Sequence, residues 1–104
     1  MGEDCIFCRI VSSKLPVTIE YQDKFTVAFR DIHPKALFHM LIVPKKHILN
    51  IETTDDTEIL GKVVIAVGEV IKKFAIKDYK IEINGGKLQE VKHLHVHLMS
   101  EGGV

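Results

Sequence analysis

Three histidines alternate with aliphatic residues in one run, His93-Leu94-His95-Val96-His97-Leu98-Met99. Successive side chains of a β-strand point to opposite faces, so the three imidazoles would share a face at intervals of about 6.5–7 Å. Leu94, Val96 and Leu98 would fill the other face, against a core. Packing does not ask for such a row: a strand ordinarily carries Thr, Lys or Glu where exposed and Val or Ile where buried. Imidazole suits nucleophilic attack, proton transfer and metal binding near neutral pH. A polar exposed face or a purification tag would also hold histidines, but a tag does not alternate them with Leu and Val. A second signal stands near the start, where Cys5 and Cys8 have zinc-ligand spacing. One such pair is half a site; two buried thiols or a redox pair would give the same spacing.

A chain of 104 residues is expected to form one domain, 1–104. With 46% apolar residues it can build a core, and 14 basic residues balance 14 acidic ones. No basic block stands out, so nucleic acid is not an expected partner, although local backbone dipoles can still hold a small anion. No apolar stretch reaches membrane length. The acidic start, Met1-Gly2-Glu3-Asp4, is unlike a signal peptide, and Ile6 stands where a myristoylation signal needs Ser or Thr. The expectation is a soluble cytoplasmic protein with reduced thiols at Cys5 and Cys8.

The elements that must position these residues can be read in order. Ile6, Phe7, Ile10 and Val11 suit a short helical turn over 5–11, ended by Lys14-Leu15-Pro16. Thr18–Tyr21 and Phe25–Phe29 are β-favouring runs separated by Gln22-Asp23-Lys24, which predicts a hairpin. Phe38–Val43 is apolar except for His39 and is stopped by Pro44, as a central strand covered on both faces would be. Asp55 and Glu58 have capping-box spacing, and Leu60, Val63, Val64, Val67, Val70, Ile71 and Phe74 recur at helical intervals behind them. This predicts one long helix near 56–75. Tyr79–Asn84 alternates as a half-buried strand, and Gly85-Gly86 turns the chain into the histidine strand. The order implies an α+β fold with helix packed on a mostly antiparallel sheet.

The run His93–Met99 matches the histidine triad motif. Cys5–Ile10, Ala28–Ile32, His39–Ile48 and Gln89–His93 support it in order and spacing. Over about Asp4–Met99 the chain resembles the histidine triad (HIT) family, in particular its Hint-like purine nucleoside phosphoramidase branch. The resemblance implies a five-stranded sheet with one long and one short helix, and a homodimer joining two sheets into ten strands. It implies hydrolysis of purine nucleoside 5′-phosphoramidates or adenylates to a monophosphate such as AMP or GMP, with no cofactor required for catalysis. His95 would be the nucleophile, passing through a nucleotidyl-histidine intermediate. His97 would contact the phosphate and help protonate the leaving group, and His39 and His93 would complete the catalytic set. Asp31 matches a ribose carboxylate. Ile6, Phe7, Ile10, Phe29, Ile32 and Leu41 match a base pocket, though any one of them taken singly reads first as core. Asn84, Gln89, Glu90 and Val91 match the phosphate side, with the Gln89 side chain near the leaving group.

Some bacterial relatives complete a structural zinc site with two histidines; the matching positions are His47 and His93, beside Cys5 and Cys8. Four protein ligands would leave no open coordination position. The chain departs from the family in a shorter loop between Asn84 and Gln89, where Lys87-Leu88 replaces small residues, and in Glu90 where Ser or Thr is usual. It ends at Val104 without the longer tail of the eukaryotic members. A dinucleoside polyphosphate hydrolase of a sister branch, and a nucleotide-binding regulator with little turnover, are the competing readings. A hydrolytic zinc site made by the three histidines themselves would leave Cys5 and Cys8 idle.

Overall fold

The computed structural model describes residues 5–102; the acidic start and residues 103–104 lie outside the described part. Helix α1 (Ile6–Val11) has Cys5 as its N-cap, the thiol sulfur accepting from the Cys8 N–H at 3.4 Å. Phe7 and Ile10 turn inward, and Ser13, at φ 63°, turns the chain out of the helix. Strands β1 (Tyr21–Gln22) and β2 (Thr26–Arg30) form the expected hairpin, Tyr21 lying opposite Ala28. Asp23 shapes its turn, one carboxylate oxygen accepting from the N–H groups of both Phe25 and Thr26 at 2.8 Å. β1 is shorter than Thr18–Tyr21 predicts, because Leu15, Val17 and Ile19 pack against the α1 cluster instead of extending the ladder.

Strand β3 (Phe38–Pro44) is buried at every position. Helix α2 (Thr57–Lys73) buries Ile59, Val63, Ala66, Val67 and Val70. Two details correct the sequence reading. The N-cap is Asp56, whose carboxylate accepts from the Ile59 N–H at 3.1 Å; with the helix starting at Thr57, Asp55 lies one residue too early to cap. Val64 is 69% exposed, next to Ile65, because a stripe through 59, 63, 67 and 70 leaves position 64 on the opposite face.

Strands β4 (Lys80–Glu82) and β5 (Val96–Ser100) complete a five-stranded sheet of order β1-β2-β3-β5-β4, with every pairing antiparallel. β4 is an exposed edge and not the half-buried strand its alternation suggests; Tyr79, Ile81 and Ile83 all remain about half exposed. β5 begins at Val96, three residues later than the histidine run predicts. The Pro44 carbonyl is taken by the His93 ring at 2.8 Å, and Leu94 N–H is drawn off to the Ile48 carbonyl at 2.7 Å, so no ladder forms there. The two faces of the sheet are covered differently. Phe38, Met40, Ile42, Val96 and Leu98 meet α2, whereas Val27, Phe29, Leu41 and Val43 meet α1. No helix among the described residues is long and apolar enough to cross a membrane.

The cap assignment is testable by urea denaturation. Asp56→Ala should destabilise the protein by about 1 kcal/mol, whereas Asp55→Ala should leave the midpoint nearly unchanged.

Candidate active site and metal centre

The face of the sheet turned away from α2 carries the histidines. Leu41 on β3 lies opposite His97 on β5, and His39 opposite Met99. Leu94, Val96 and Leu98 enter the α2 core, which leaves His95 and His97 side by side, their ring centroids 4.9 Å apart. His95 Nδ1 lies 2.8 Å from the His93 carbonyl oxygen. A carbonyl can only accept, so Nδ1 carries the hydrogen and Nε2 keeps its lone pair. Phe7 packs edge-on against the same ring, centroid to centroid 5.1 Å.

His39 Nε2 is 2.9 Å from His97 Nδ1, and His39 Nδ1 accepts from the Lys35 backbone N–H at 3.0 Å. Asp31 places one carboxylate oxygen 3.5 Å from His39 Nε2, while the other accepts from the His33 N–H at 2.9 Å. Burial pushes the pKa of His39 below the ordinary histidine value, against the pull of Asp31. Burial also lowers His97, reinforced by His95 and His39 and opposed by Asp31 and Glu82. The ligand atoms of Asp31, His39 and His97 lie within 4.8 Å of one another. A cation on His39 Nε2 would need the hydrogen on Nδ1, facing the Lys35 N–H, so these residues suit a hydrogen-bond chain better than a metal.

The rings of His95 and His97 open onto a cleft of ≈ 270 Å³. Ile6, Phe7, Ile10, Phe29, Asp31, Ile32, Leu41, Glu90 and Val91 line it. Leu15, Val17, Arg30 and His33 also line it. The Leu15-Pro16-Val17 alternation was a signal for the first two; nothing in the sequence marked the others. A larger depression of ≈ 590 Å³ beside Lys35, Tyr79, Lys80 and Glu101 contains no imidazole or thiol, and so no comparable nucleophile.

The expected phosphate-side residues divide. Asn84 brings its amide nitrogen 3.5 Å from His97 Nε2. Gln89 is turned into the fold, contrary to the expectation that it faces the leaving group. Its Nε2 donates to the Leu49 carbonyl at 2.7 Å and its Oε1 accepts from Asn50 at 3.1 Å, leaving it 5% exposed. Asn50, missed in the sequence, also donates to the Asn84 carbonyl at 2.9 Å and so holds both ends of this loop. Leu88 sits on a 3₁₀ turn (Gly86–Leu88) and is 74% exposed, clear of the cleft.

His93 does not line the cleft. Its Nε2 lies 2.8 Å from the Pro44 carbonyl, which fixes the hydrogen there and leaves the Nδ1 lone pair facing the thiols. Nδ1 is 3.3 Å from Cys5 Sγ and 3.5 Å from Cys8 Sγ, and His47 Nδ1 is 3.2 Å from Cys8 Sγ. A tetrahedral zinc has S···N edges of roughly 3.5 Å, so the four side chains need only small shifts to hold one. Burial, then the neighbouring Cys5, pushes the Cys8 thiol up to about 11, the penalty a bound cation would offset.

A family model described as scavenger mRNA decapping enzyme C-term binding matches residues 4–103. The chain is 40% identical to a HIT family hydrolase from Clostridium thermocellum, with a TM-score of 0.88, covering 98% of this chain and 92% of that one. It is 31% identical to a histidine triad nucleotide-binding protein from Candida albicans (TM-score 0.82, covering 90% and 72%). It is 28% identical to a Zn-bound histidine triad family protein from Mycobacterium smegmatis (TM-score 0.80, covering 95% and 76%).

The buried rings carry a pH signature. Folding lowers the affinity of His39 and His97 for protons, so below about pH 6.5, the unfolded value, the unfolded state binds more protons. Their contribution to stability is complete above that pH and is lost as acidity rises toward the folded values. The urea midpoint should fall between pH 7.5 and 5.5, and fall less in His39→Gln; a midpoint identical at the two pH values would contradict this.

Proposed function

The chain belongs to the histidine triad family, and from that premise we propose that it hydrolyses purine nucleoside 5′-phosphoramidates or related adenylates. The observation that carries this reading is the His95 ring. Its Nδ1–H is held by the His93 carbonyl and its Nε2 lone pair is left for the cleft. Attack by Nε2 on the α-phosphorus forms a P–N bond and breaks the bond to the leaving group. Water then cleaves the nucleotidyl-histidine and releases the monophosphate. The apolar wall of Phe7, Ile10, Phe29 and Leu41 suits a purine, and Asp31 suits the ribose hydroxyls. A relative named as a hydrolase and another named as nucleotide-binding support the same reading.

The cleft also bears on the competing polyphosphate substrate. Asp31 and Glu90 line it and no lysine does. The Arg30 guanidinium lies over Phe38 and Phe74, 5.1 and 5.5 Å from their ring centroids. With Asp31 given to the ribose, Glu90 would repel a leaving group bearing several phosphates and would not repel an amine. The Cys5, Cys8, His47 and His93 side chains suit a structural zinc, a reading supported by the Zn-bound relative. Such a zinc would join α1 to the segment that carries His95 and would take no part in the reaction. A homodimer through the β4 edge, covering Ile81 and Ile83, accounts for an apolar sheet edge left in solvent.

Three measurements test this reading. Wild type should release AMP from adenosine 5′-phosphoramidate faster than from a diadenosine polyphosphate. His95→Ala should lose more than about 10³-fold, while a brief chelator treatment should leave the rate intact. Absence of turnover in folded wild type that still binds AMP would favour the regulator. Elemental analysis should find stoichiometric zinc in wild type and little in Cys8→Ala. Ile81→Lys should shift the sedimentation coefficient to that of a monomer.

A further inference from the structure

His95 and His97 are each oriented by a backbone group, and the two groups are of opposite kind. His95 Nδ1 meets a carbonyl, that of His93. His97 Nδ1 meets His39 Nε2, and His39 Nδ1 meets an amide, that of Lys35, at 3.0 Å. We propose that His97 acts as a neutral hydrogen-bond donor through Nε2–H, with Lys35 N–H setting this tautomer through His39, and that His97 is not the acid that protonates the leaving group. The proposal deepens the hydrolase reading and rests on it for the identity of the acceptor.

A backbone N–H cannot become an acceptor. His39 Nδ1 must therefore present its lone pair, and a neutral His39 carries its hydrogen on Nε2. That hydrogen points at His97 Nδ1 across 2.9 Å, so His97 Nδ1 accepts and Nε2 holds the ring's only hydrogen. The reverse order would set His39 Nδ1–H against Lys35 N–H. One contact speaks for the reverse order, the Asn84 amide nitrogen 3.5 Å from His97 Nε2. An asparagine amide can rotate to offer its oxygen, whereas the Lys35 peptide cannot, so the Lys35 contact decides.

The same chain resists a second proton. A hydrogen added to His97 Nδ1 would face His39 Nε2–H and break the 2.9 Å bond. The charged or titratable groups around His97 are His95 beside it, His39 on β3, Glu82 on β4 and Asp31 on the loop after β2. The two carboxylates favour a charge, but the nearer oxygen of Asp31 reaches His39 Nε2 and not His97. Burial outweighs them at both rings.

The chemistry then divides between the two histidines. His95 Nε2 supplies the electron pair that forms the bond to phosphorus. His97 Nε2–H donates to a phosphoryl oxygen as negative charge grows there. The electron pair of the breaking bond leaves on the amine, which takes its proton from water at the cleft mouth. Water attacks in the second step, the P–Nε2 bond breaks, and a proton returns to solvent. His97 keeps its hydrogen throughout. His39 is a positioning residue, and Lys35 contributes only its backbone.

Nitrogen-15 NMR of histidine-labelled free protein at pH 7 reads both tautomers directly. The expected pattern is Nδ1–H at His95 and Nε2–H at His97, and His39→Phe should turn His97 into a tautomer mixture. An Nδ1–H or doubly protonated His97 in wild type would overturn the proposal. Kinetics give a second test with adenosine 5′-phosphoramidate. His97→Gln, which still offers an N–H, should stay within about tenfold of wild-type kcat with an unchanged pH profile, whereas His97→Ala should lose about 10²–10³-fold. Equal inactivity of the two variants, with loss of the alkaline limb of the profile, would instead make His97 an acid. If wild type turns over no phosphoramidate, the hydrolase reading fails, and the NMR pattern still decides the tautomer.

Discussion

One buried ring, His93, is the reference point for everything around the cleft. Its Nε2–H is anchored on the Pro44 carbonyl, its Nδ1 faces the two thiols, and its own carbonyl holds His95. The residue is 0% exposed, so none of these bonds competes with water. It interrupts the β3–β5 ladder where a regular strand would have continued, and the interruption frees a main-chain carbonyl to aim a side chain. A straight strand would have used that carbonyl for pairing. The first histidine of the row thus acts through its backbone and its back side, and the second and third act at the cleft.

Around that point the two sheet faces are put to different uses. The α2 face is an ordinary aliphatic core that fixes the position of β3 and β5. The α1 face combines aliphatic packing with five imidazoles and two thiols; His39, His93 and His95 bond to backbone groups, His97 bonds to His39, and the thiols meet His47 and His93. Desolvation favours the uncharged forms of His39 and His97, and their buried ring nitrogens are held by hydrogen-bond partners. The six-residue α1 could not persist alone in water. It is retained because Phe7 and Ile10 are buried and because Cys5 and Cys8 meet His93 and His47.

Much of this was legible in the sequence. The alternation of His95 and His97 with Val96 and Leu98 gave the facing of β5, and the aliphatic spacing gave α2, since burial of one stripe enforces periodicity. What was not legible depends on hydrogen bonds between distant residues. Asp55 and Asp56 are equally good caps by type, and only the helix start separates them. Tyr79–Asn84 alternates like a half-buried strand, but alternation does not reveal that a strand lies at an edge. Gln89 is polar and sits before the histidine run, yet Leu49 and Asn50, about 40 residues earlier, draw it inward.

The loop between Asn84 and Gln89 has no slack. Asn50 holds it at both ends, and Lys92 donates to the Gly86 and Gln89 carbonyls. Gly86, at φ 59°, occupies a conformation that other residues adopt only with strain. Surface loops are usually where a protein absorbs insertions and drift. In this loop the backbone is held by Asn50 and Lys92, so a change beside the cleft disturbs bonds that an exposed loop does not ordinarily carry.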